Sequence, residues 1–130
     1  MQDSDRLVAA ARSARDRAIA SYSGFSVGAA LLTRAGAIYA GGNIENASYG
    51  LTTCAERVAL LKALSEGERE FVQLAIVADT DRPTPPCGAC RQLLWEYCGD
   101  IDVVLASLVT VTGRHHLRDL LPLPFDRRLL

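Results

Sequence analysis

The pattern of apolar and polar positions predicts alternating helices and strands. Apolar residues recur at helical spacing from Leu7 to Ala18, which predicts a first helix over residues 4–20 with Ser4 as its N-cap. Short apolar runs bounded by turn residues predict strands instead, and a nearly continuous run is typical of a strand buried on both faces. The predicted strands are Ser26–Thr33, Ala37–Gly41, Phe71–Ala78, Ile101–Ala106 and, as a fifth, Leu108–Thr112.

Three further helices are predicted between and after these strands. Residues 53–66 read as a helix closed by Gly67, and a second helix opens at Pro86, runs to Tyr97 and is followed by Gly99. Proline near the start and glycine past the end is the asymmetry expected of a helix. A short last helix is predicted over 116–121. Strands alternating with helices indicate an α/β fold, and we expect a single domain spanning residues 1–130.

Composition and charge narrow the function. The chain is 49% hydrophobic and 22% charged, so it can bury a core, and its formal net charge is −1. Basic residues form no stripe, which argues against nucleic acid as a partner and favours a small-molecule substrate. The longest uncharged stretch, Ala18–Thr33, falls short of the ~20 apolar residues of a membrane span. The N-terminus has no signal-peptide pattern, and we expect a cytoplasmic protein with no membrane partner.

The cysteines are the strongest chemical signal. Cys87 and Cys90 lie one turn apart at the start of a predicted helix, where the helix dipole and unpaired N–H groups favour thiolates. Cys54 opens another predicted helix. Three thiolates can form three corners of a tetrahedral zinc site, and an open fourth corner, where water binds, defines a catalytic one. Glu56, two residues after Cys54, can then lie beside that water without being a ligand.

Each of these residues also has a simpler interpretation. A Cys-x-x-Cys pair alone is equally typical of a redox centre or half of a structural zinc site. Glu56 completes the Thr53-x-x-Glu56 pattern of a capping box. Cys54 alone is more often a small buried hydrophobe, and we assign Cys98 to the core. His115 or His116 could supply a fourth zinc ligand, but adjacent side chains point in different directions, so we expect both to be solvated at the edge of the last strand.

The joint pattern is more specific than its parts. A Cys-x-Glu followed by Pro-Cys-x-x-Cys is the signature of zinc-dependent nucleobase deaminases, with Cys54 in the place of histidine. Three segments resemble the homotetrameric cytidine deaminase family: 42–50 (GNIENASYG), 54–57 (CAER) and 86–92 (PCGACRQ). Residues 22–30 (YSGFSVGAA) and the end of the chain, LLP followed by Phe125, resemble its two terminal regions. The resemblance extends from about Leu7 to Phe125.

The resemblance implies a fold, a cofactor and a reaction. The fold would be a three-layer α/β/α sandwich with a five-stranded mixed sheet. One Zn²⁺ per chain would be held by Cys54, Cys87 and Cys90. Free cytidine or 2′-deoxycytidine would be hydrolysed in pyrimidine salvage to the uridine and ammonia, with zinc-bound hydroxide attacking C4 and Glu56 carrying protons. Three thiolates leave such a site formally at −1, which weakens zinc as a Lewis acid, although helix N-termini offset part of that charge.

The resemblance also implies how a nucleoside is bound. Asn43 and Glu45 would hydrogen-bond the ribose 3′-hydroxyl, the Ala55 N–H would meet the base O2, and Arg57 would donate to the ligand thiolates. Phe25 and the Phe125 of a neighbouring chain would flank the pyrimidine in a homotetramer with shared active sites, with Tyr49 near the same subunit contact. The remaining binding and positioning residues of this prediction are thus Phe25, Asn43, Glu45, Tyr49, Ala55, Arg57 and Phe125.

Three departures from the family and three alternatives accompany this interpretation. The family usually has proline where Ser21 stands and often lysine where Gly24 stands, and the end of this chain is short, with Leu123-Pro124 before Phe125, which puts the geometry of the loop and of the tail in question. A deaminase of a cytosine-nucleoside antibiotic such as blasticidin S keeps the same zinc scaffold, but the intact stretch Asn43–Asn46 argues against it. A structural-zinc module would need a fourth protein ligand, and a redox protein would not need Cys54.

Overall fold

A computed structural model describes residues 3–130. It has five strands and four α-helices among these residues, in the following order: α1 (Asp3–Arg15), β1 (Val27–Thr33), β2 (Ile38–Gly42), α2 (Ala55–Ser65), β3 (Phe71–Ala78), α3 (Gly88–Cys98), β4 (Asp102–Ala106), β5 (Val111–His116) and α4 (Leu117–Leu120). One 3₁₀ turn lies between β2 and α2 (Tyr49–Leu51), and another follows α4 (Arg127–Leu129). No helix in residues 3–130 has the length and apolarity that crossing a membrane requires.

The strands form one mixed sheet in the order β2-β1-β3-β4-β5. Only β3 and β4 are parallel, and the crossover between them contains α3. One face of the sheet packs against α1 through a cluster that includes Leu7, Ala30 and Val77. The other face packs against α2, α3 and α4 through a larger cluster that includes Leu60, Leu94 and Leu117. The predicted three-layer sandwich with a five-stranded mixed sheet is therefore confirmed.

Helix α1 is shorter than predicted. Leu7, Ala11 and Ala14 are fully buried as their spacing requires. Ser4 is not the N-cap, because Asp3 before it is already helical, and the helix ends at Arg15 instead of residue 20. The N–H groups of residues 16–18 bond three residues back, which tightens the last turn. The chain after the helix then pairs with the segment that follows β2, because Ile19 N donates to Asn43 O and Glu45 N donates to Ile19 O. This tertiary pairing ends the helix.

The last strand is displaced from its predicted position. Residues 108–110 form a turn and not a strand, because the Ser107 hydroxyl accepts from the N–H groups of Val109 and Thr110. Strand β5 therefore begins at Val111 and takes in both histidines, which are exposed at its end as expected of solvated residues. His116 Nδ1 lies 3.0 Å from Asp102 Oδ1 on β4. The other elements lie within two residues of their predicted bounds.

Close approach of α1 to the sheet depends on glycine. A Cβ at Gly28 would lie 1.9 Å from the Ala11 carbonyl oxygen, and one at Gly42 would lie 2.8 Å from that of Ala14. No real side chain tolerates such distances to backbone atoms, so alanine at Gly28 would force the helix off the sheet. The two glycines pair with each other across β1 and β2. They thereby hold α1 against the sheet edge at which the chemically active residues collect.

Candidate active site

The candidate site lies where β2 and β3 end and β1 begins. Gly28 pairs with Gly42 and Val27 pairs with Ala78, so the segments next to these strand ends meet at one edge of the sheet. Helices α2 and α3 begin at the same edge, with Cys54 and Cys87 as their N-caps. Open α/β sheets commonly bind ligands beyond the carboxyl ends of their strands, and here two helix N-termini add their dipoles to that edge.

Three cysteines and one glutamate converge there. The sulfur atoms of Cys54, Cys87 and Cys90 and a carboxylate oxygen of Glu56 all lie within 4.8 Å of one another. Cys54 Sγ and Cys87 Sγ are 3.7 Å apart. Cys90 is buried in the first turn of α3, while Cys54 is half-buried and Cys87 exposed. The fourth cysteine, Cys98, lies outside the cluster at the end of α3, where burial raises its pKa to about 12.

The chemistry of this donor set fits zinc. Thiolates are preferred zinc ligands, and Cys-x-x-Cys at a helix start is a common zinc-binding arrangement. The pKa of Cys54 is lowered to about 6, chiefly by a hydrogen bond from Cys90, while burial and the charge of Glu56 act in the opposite direction. Arg57 supplies positive charge near Cys54, and its Nε is buried without a hydrogen-bond partner among residues 3–130. Additional negative charge beside the thiols would supply the acceptor that this buried N–H of Arg57 lacks.

Glu56 faces the cluster from the first turn of α2. Its side chain is only 4% exposed, and it makes no hydrogen bond to any residue that the structure describes. The capping-box interpretation is wrong, because Cys54 and not Thr53 is the N-cap and no side chain caps the helix. The Thr53 hydroxyl bonds instead to the Leu51 carbonyl at 3.4 Å. Glu56 is therefore a buried carboxylate with no structural partner, aimed at a cavity.

That cavity has a volume of about 250 Å³. Six of the predicted residues besides Glu56 line it: Phe25, Asn43, Glu45, Cys54, Ala55 and Cys87. Six others line it that the sequence analysis did not identify: Ser23, Val27, Thr52, Ile76, Thr84 and Pro85. Thr84 and Pro85 could have been suspected from their position just before Pro86-Cys87, and Ser23 and Val27 from the family-like segment 22–30, whereas Thr52 and Ile76 lie in no motif. The N–H of Ala55, as the first residue of α2, has no acceptor within the helix.

Asn43 and Glu45 are already engaged with the loop before β1. Asn43 is 7% exposed; its Nδ2 donates to Phe25 O at 3.0 Å, and its Oδ1 accepts from Val27 N at 2.8 Å. One N–H of its amide remains for another acceptor. The pKa of Glu45 is lowered by hydrogen bonds from the Ser23 hydroxyl and from the N–H groups of Ser23 and Tyr22. Both residues thus hold the loop as well as line the cavity.

Tyr49 and Phe125 do not line this cavity in their own chain. Tyr49 is 75% exposed and packs edge-on against Tyr22, with ring centroids 6.1 Å apart, in a groove next to the cavity. Phe125 is 60% exposed and is fastened to α3 because Gln92 Nε2 donates to its carbonyl oxygen at 2.6 Å. In their own chain, therefore, neither of these two predicted residues lines the cavity that Cys54 and Cys87 line.

The tail that carries Phe125 is anchored by the next residue. Asp126 is buried and accepts from Trp95 Nε1 of α3 at 3.0 Å and from Arg128 Nη2 at 2.8 Å. Hydrogen bonds from Arg128 and then Trp95 hold the pKa of Asp126 well below its usual range. None of these three residues carries a pattern in the sequence that predicts this role. Together with Gln92, they fix the tail along the helix that bears Cys87 and Cys90.

A three-layer α/β/α sandwich with three thiols at two helix N-termini and a buried carboxylate beside them defines a zinc-dependent deaminase. Comparisons with known proteins agree with this class. The family model for the cytidine and deoxycytidylate deaminase zinc-binding region matches residues 1–107. The chain therefore belongs to the cytidine and deoxycytidylate deaminase family.

Individual relatives cover almost the whole chain. A cytidine deaminase of Halalkalibacterium halodurans is 53% identical over 92% of both chains. One from Sporosarcina psychrophila is 48% identical over 96% of this chain and 93% of its own. Among solved structures, cytidine deaminase from Burkholderia pseudomallei has a TM-score of 0.88 at 47% identity, covering 93% of this chain and 98% of its own. A blasticidin-S deaminase of Bacillus cereus is more distant, at 33% identity over 78% of this chain and 77% of its own.

Proposed function

We propose that this chain hydrolyses free cytidine and 2′-deoxycytidine to uridine and 2′-deoxyuridine with release of ammonia. The observation that carries the proposal is the shared cavity: thiols fit for zinc, the unpaired carboxylate of Glu56, and the polar side chains of Asn43 and Glu45 all face one space. A metal site alone would not specify a nucleoside. Relatives of about half-identical sequence that are named cytidine deaminases support the same substrate.

In the proposed reaction, protons are moved by Glu56. Zinc held by Cys54, Cys87 and Cys90 would supply the Lewis acidity that activates water. Glu56 takes one proton from water and delivers it to N3 of the base as the water oxygen bonds to C4. It then transfers the second proton of that water to the exocyclic amine, and the C4–N bond breaks to release ammonia. One carboxyl can serve as base and then acid if it reaches both water and ring, and burial beside the cysteines favours that position.

The chain's other cavity residues would orient the nucleoside. Phe25 offers a face to the pyrimidine, and the free N–H of Ala55 a donor to its O2. Glu45 and the remaining N–H of Asn43 offer an acceptor and a donor to the sugar hydroxyls. In this proposal the whole chain, residues 1–130, is one deaminase domain, and because its zinc ligands must stay reduced, it works in the cytoplasm.

The direct test is the change in ultraviolet absorbance when cytidine is added to purified, zinc-loaded protein. We expect the spectrum of cytidine to convert to that of uridine, with one ammonia released per turnover. Absence of turnover with cytidine and deoxycytidine, in protein that holds one zinc per chain, would contradict the proposal.

Deamination of blasticidin S is the alternative, because a relative of that name matches at 33% identity. The intact Asn43–Asn46 stretch, with Asn43 and Glu45 facing the cavity, favours an ordinary nucleoside sugar. The two substrates are compared by kcat/KM on the same preparation. A higher kcat/KM for blasticidin S than for cytidine would reverse the assignment.

We further propose that the protein is a homotetramer whose active sites are completed by a neighbour's Phe125. Three observations support this arrangement: Phe125 is exposed and fastened in place, it lies outside its own chain's cavity, and large apolar side chains are exposed near that cavity. The exposed apolar residues near the cavity are Ile19, Tyr22, Phe25, Ile44, Tyr49 and Leu51. Burying such a surface against copies of the same chain gives closed symmetric assemblies.

Mixing inactive variants tests the sharing of sites. Glu56→Ala chains and Phe125→Ala chains, each weak alone, are co-assembled after dissociation. A site built on a Phe125→Ala chain keeps its own Glu56 and regains Phe125 from a neighbour, so activity should exceed the sum of the parents. Glu56→Ala mixed with Cys87→Ala is the matched control, because both residues belong to the same chain's cavity and mixing restores neither. Equal behaviour of the two mixtures would refute shared sites.

A further inference from the structure

The hydroxyl of Ser23 joins two parts of the candidate site. The N–H groups of Tyr22 and Ser23 donate to Glu45 Oε1 at 2.9 and 3.0 Å, and the Ser23 hydroxyl donates to Glu45 Oε2. The same hydroxyl accepts from the N–H of Phe25 at 2.9 Å. Ser23 therefore links the carboxylate proposed to bind the sugar with the backbone of the aromatic residue proposed to face the base.

Counting donors and acceptors fixes the direction of these bonds. A hydroxyl has a single proton, and the backbone N–H of Phe25 can only donate, so the proton of Ser23 goes to Glu45. Oε1 of Glu45 then has two donors and Oε2 has one. Each carboxylate oxygen accepts about two hydrogen bonds, so Oε2 retains capacity for one more. Glu45 and Ser23 both line the cavity, where that capacity is open to a ligand.

We propose that Ser23 is a positioning residue that holds the Glu45 carboxylate in the orientation in which Oε2 accepts the 3′-hydroxyl of the nucleoside. This inference rests on the proposed function, in which Glu45 binds the sugar. Without the Ser23 hydroxyl, Glu45 keeps only the two backbone donors on Oε1 and can turn Oε2 away from the cavity. The N–H of Phe25 loses its acceptor in the same change, which loosens the loop that carries the aromatic face.

The experiment compares cytidine with 3′-deoxycytidine, which lacks the hydroxyl in question. For the wild type, we expect a higher kcat/KM for cytidine. Ser23→Ala should lower that preference about 10- to 100-fold, the range for a hydrogen bond to a charged group, and most of the loss should be in KM for cytidine. Ser23→Thr keeps a hydroxyl and should restore the preference. Ser21→Ala is the matched control. The Ser21 hydroxyl lies in the same loop but has no hydrogen-bond partner among residues 3–130, so its removal should leave the substrate preference at the wild-type value.

A double-mutant cycle separates positioning from a general effect on the loop. If Ser23 acts through Glu45, then Ser23→Ala should have no further effect on the substrate preference in a Glu45→Gln background. Zinc content and melting temperature are measured for every variant. Because Ser23 is exposed, its variants should fold.

Different results would refute the sugar contact and the role of Ser23. A wild type that does not prefer cytidine over 3′-deoxycytidine refutes the sugar contact in the proposed function. A wild type that does, together with Ser23→Ala at the same preference, refutes the role of Ser23 alone. A loss in Ser23→Ala that persists in full in the Glu45→Gln background also overturns it.

Discussion

Replacing Glu56 with glutamine isolates proton transfer from the other properties of that side chain. Glutamine has the same shape but cannot take up a proton at this position. Glu56 makes no hydrogen bond to any residue in 3–130, and it does not cap α2, so the change leaves no protein group unpaired. We therefore expect a melting temperature close to that of the wild type. Large destabilisation by point mutation requires a cavity, a lost partner or strain, and none arises here.

The expected loss of activity is large. A positioned general acid or base typically contributes ~10²–10⁴ in rate, which corresponds to about 3–5 kcal/mol of activation free energy. Glu56 is proposed to act twice in one turnover, so we expect kcat to fall by at least the upper part of that range.

Zinc content should be unaffected by the same change. The hydrogen bond with Cys54 and burial are the main causes that raise the pKa of Cys90, and the charge of Glu56 acts in the same direction. The charge of Glu56 also opposes the lowered pKa of Cys54. Removing that charge makes both thiolates easier to form, and the three proposed ligand sulfurs are untouched, so we expect Glu56→Gln to keep one zinc per chain.

The assay combines elemental analysis, thermal melting and the initial rate of cytidine conversion by ultraviolet absorbance. Glu66→Gln, at the other end of α2 and exposed, is the matched control and should behave as wild type. A Glu56→Gln protein with full zinc and less than a tenfold loss in kcat would refute the proton-carrying role. A protein that loses zinc would instead show that Glu56 supports the metal site.

The remaining predictions concern the metal, the sugar and the tail. Cys87→Ala should lose zinc and activity, whereas Cys98→Ala should keep both, as elemental analysis and rates would show. Because burial raises the pKa of Cys98 to about 12, its thiol should also resist alkylation at neutral pH, which peptide mass spectrometry would detect. Free cytosine should react up to ~10⁴-fold less well than cytidine, since polar groups that bind the sugar are left unpaired without it, and Asn43→Ala should narrow the gap by slowing cytidine. The lowered pKa of Asp126 means that its anchoring of the tail is complete above the usual aspartate pKa and is lost only as the pH falls below that range, which fluorescence of Trp95, the only tryptophan, would follow.

Most of the sheet could be predicted from the sequence because its central strands are buried on both faces. Phe71–Ala78 is such a run, and its predicted bounds agree with β3. The two displaced elements share a cause that no local pattern shows. The end of α1 is set by the pairing of Ile19 with residues 43–45, which are far away in sequence. The start of β5 is set by the hydroxyl of Ser107, which accepts from Val109 N in a turn. The apolar residues Leu108 and Val109 predict a strand at this position, so the sequence pattern does not show the turn.

The convergence of the three cysteines was predictable because the signal for each cysteine is local. A cysteine at a helix start is visible as sequence spacing plus a helix signal, and the two helices then need only to meet. The loop contacts are different. Asn43 and Glu45 were predicted as sugar-binding residues from a resemblance, but their bonds to Phe25, Val27 and Ser23 depend on bringing the loop before β1 beside the segment after β2. Such contacts between distant segments have no period or spacing in the sequence, so the family-like segment 22–30 did not indicate that Ser23 bonds to Glu45.

The C-terminal tail is connected to α3 by contacts that neither the cysteine motif nor the pattern of strands indicates. Helix α3 carries Cys87 and Cys90 at its start, and further along it Gln92 and Trp95 hold the tail through Phe125 and Asp126. The exposed Phe125 is thus held by the same helix that carries two of the three proposed zinc ligands. In the proposed tetramer, each α3 would contribute zinc ligands to one site and an aromatic wall to another. A displacement of α3 in one subunit would then move parts of two sites together, which gives the anchoring of an exposed tail residue a functional reason.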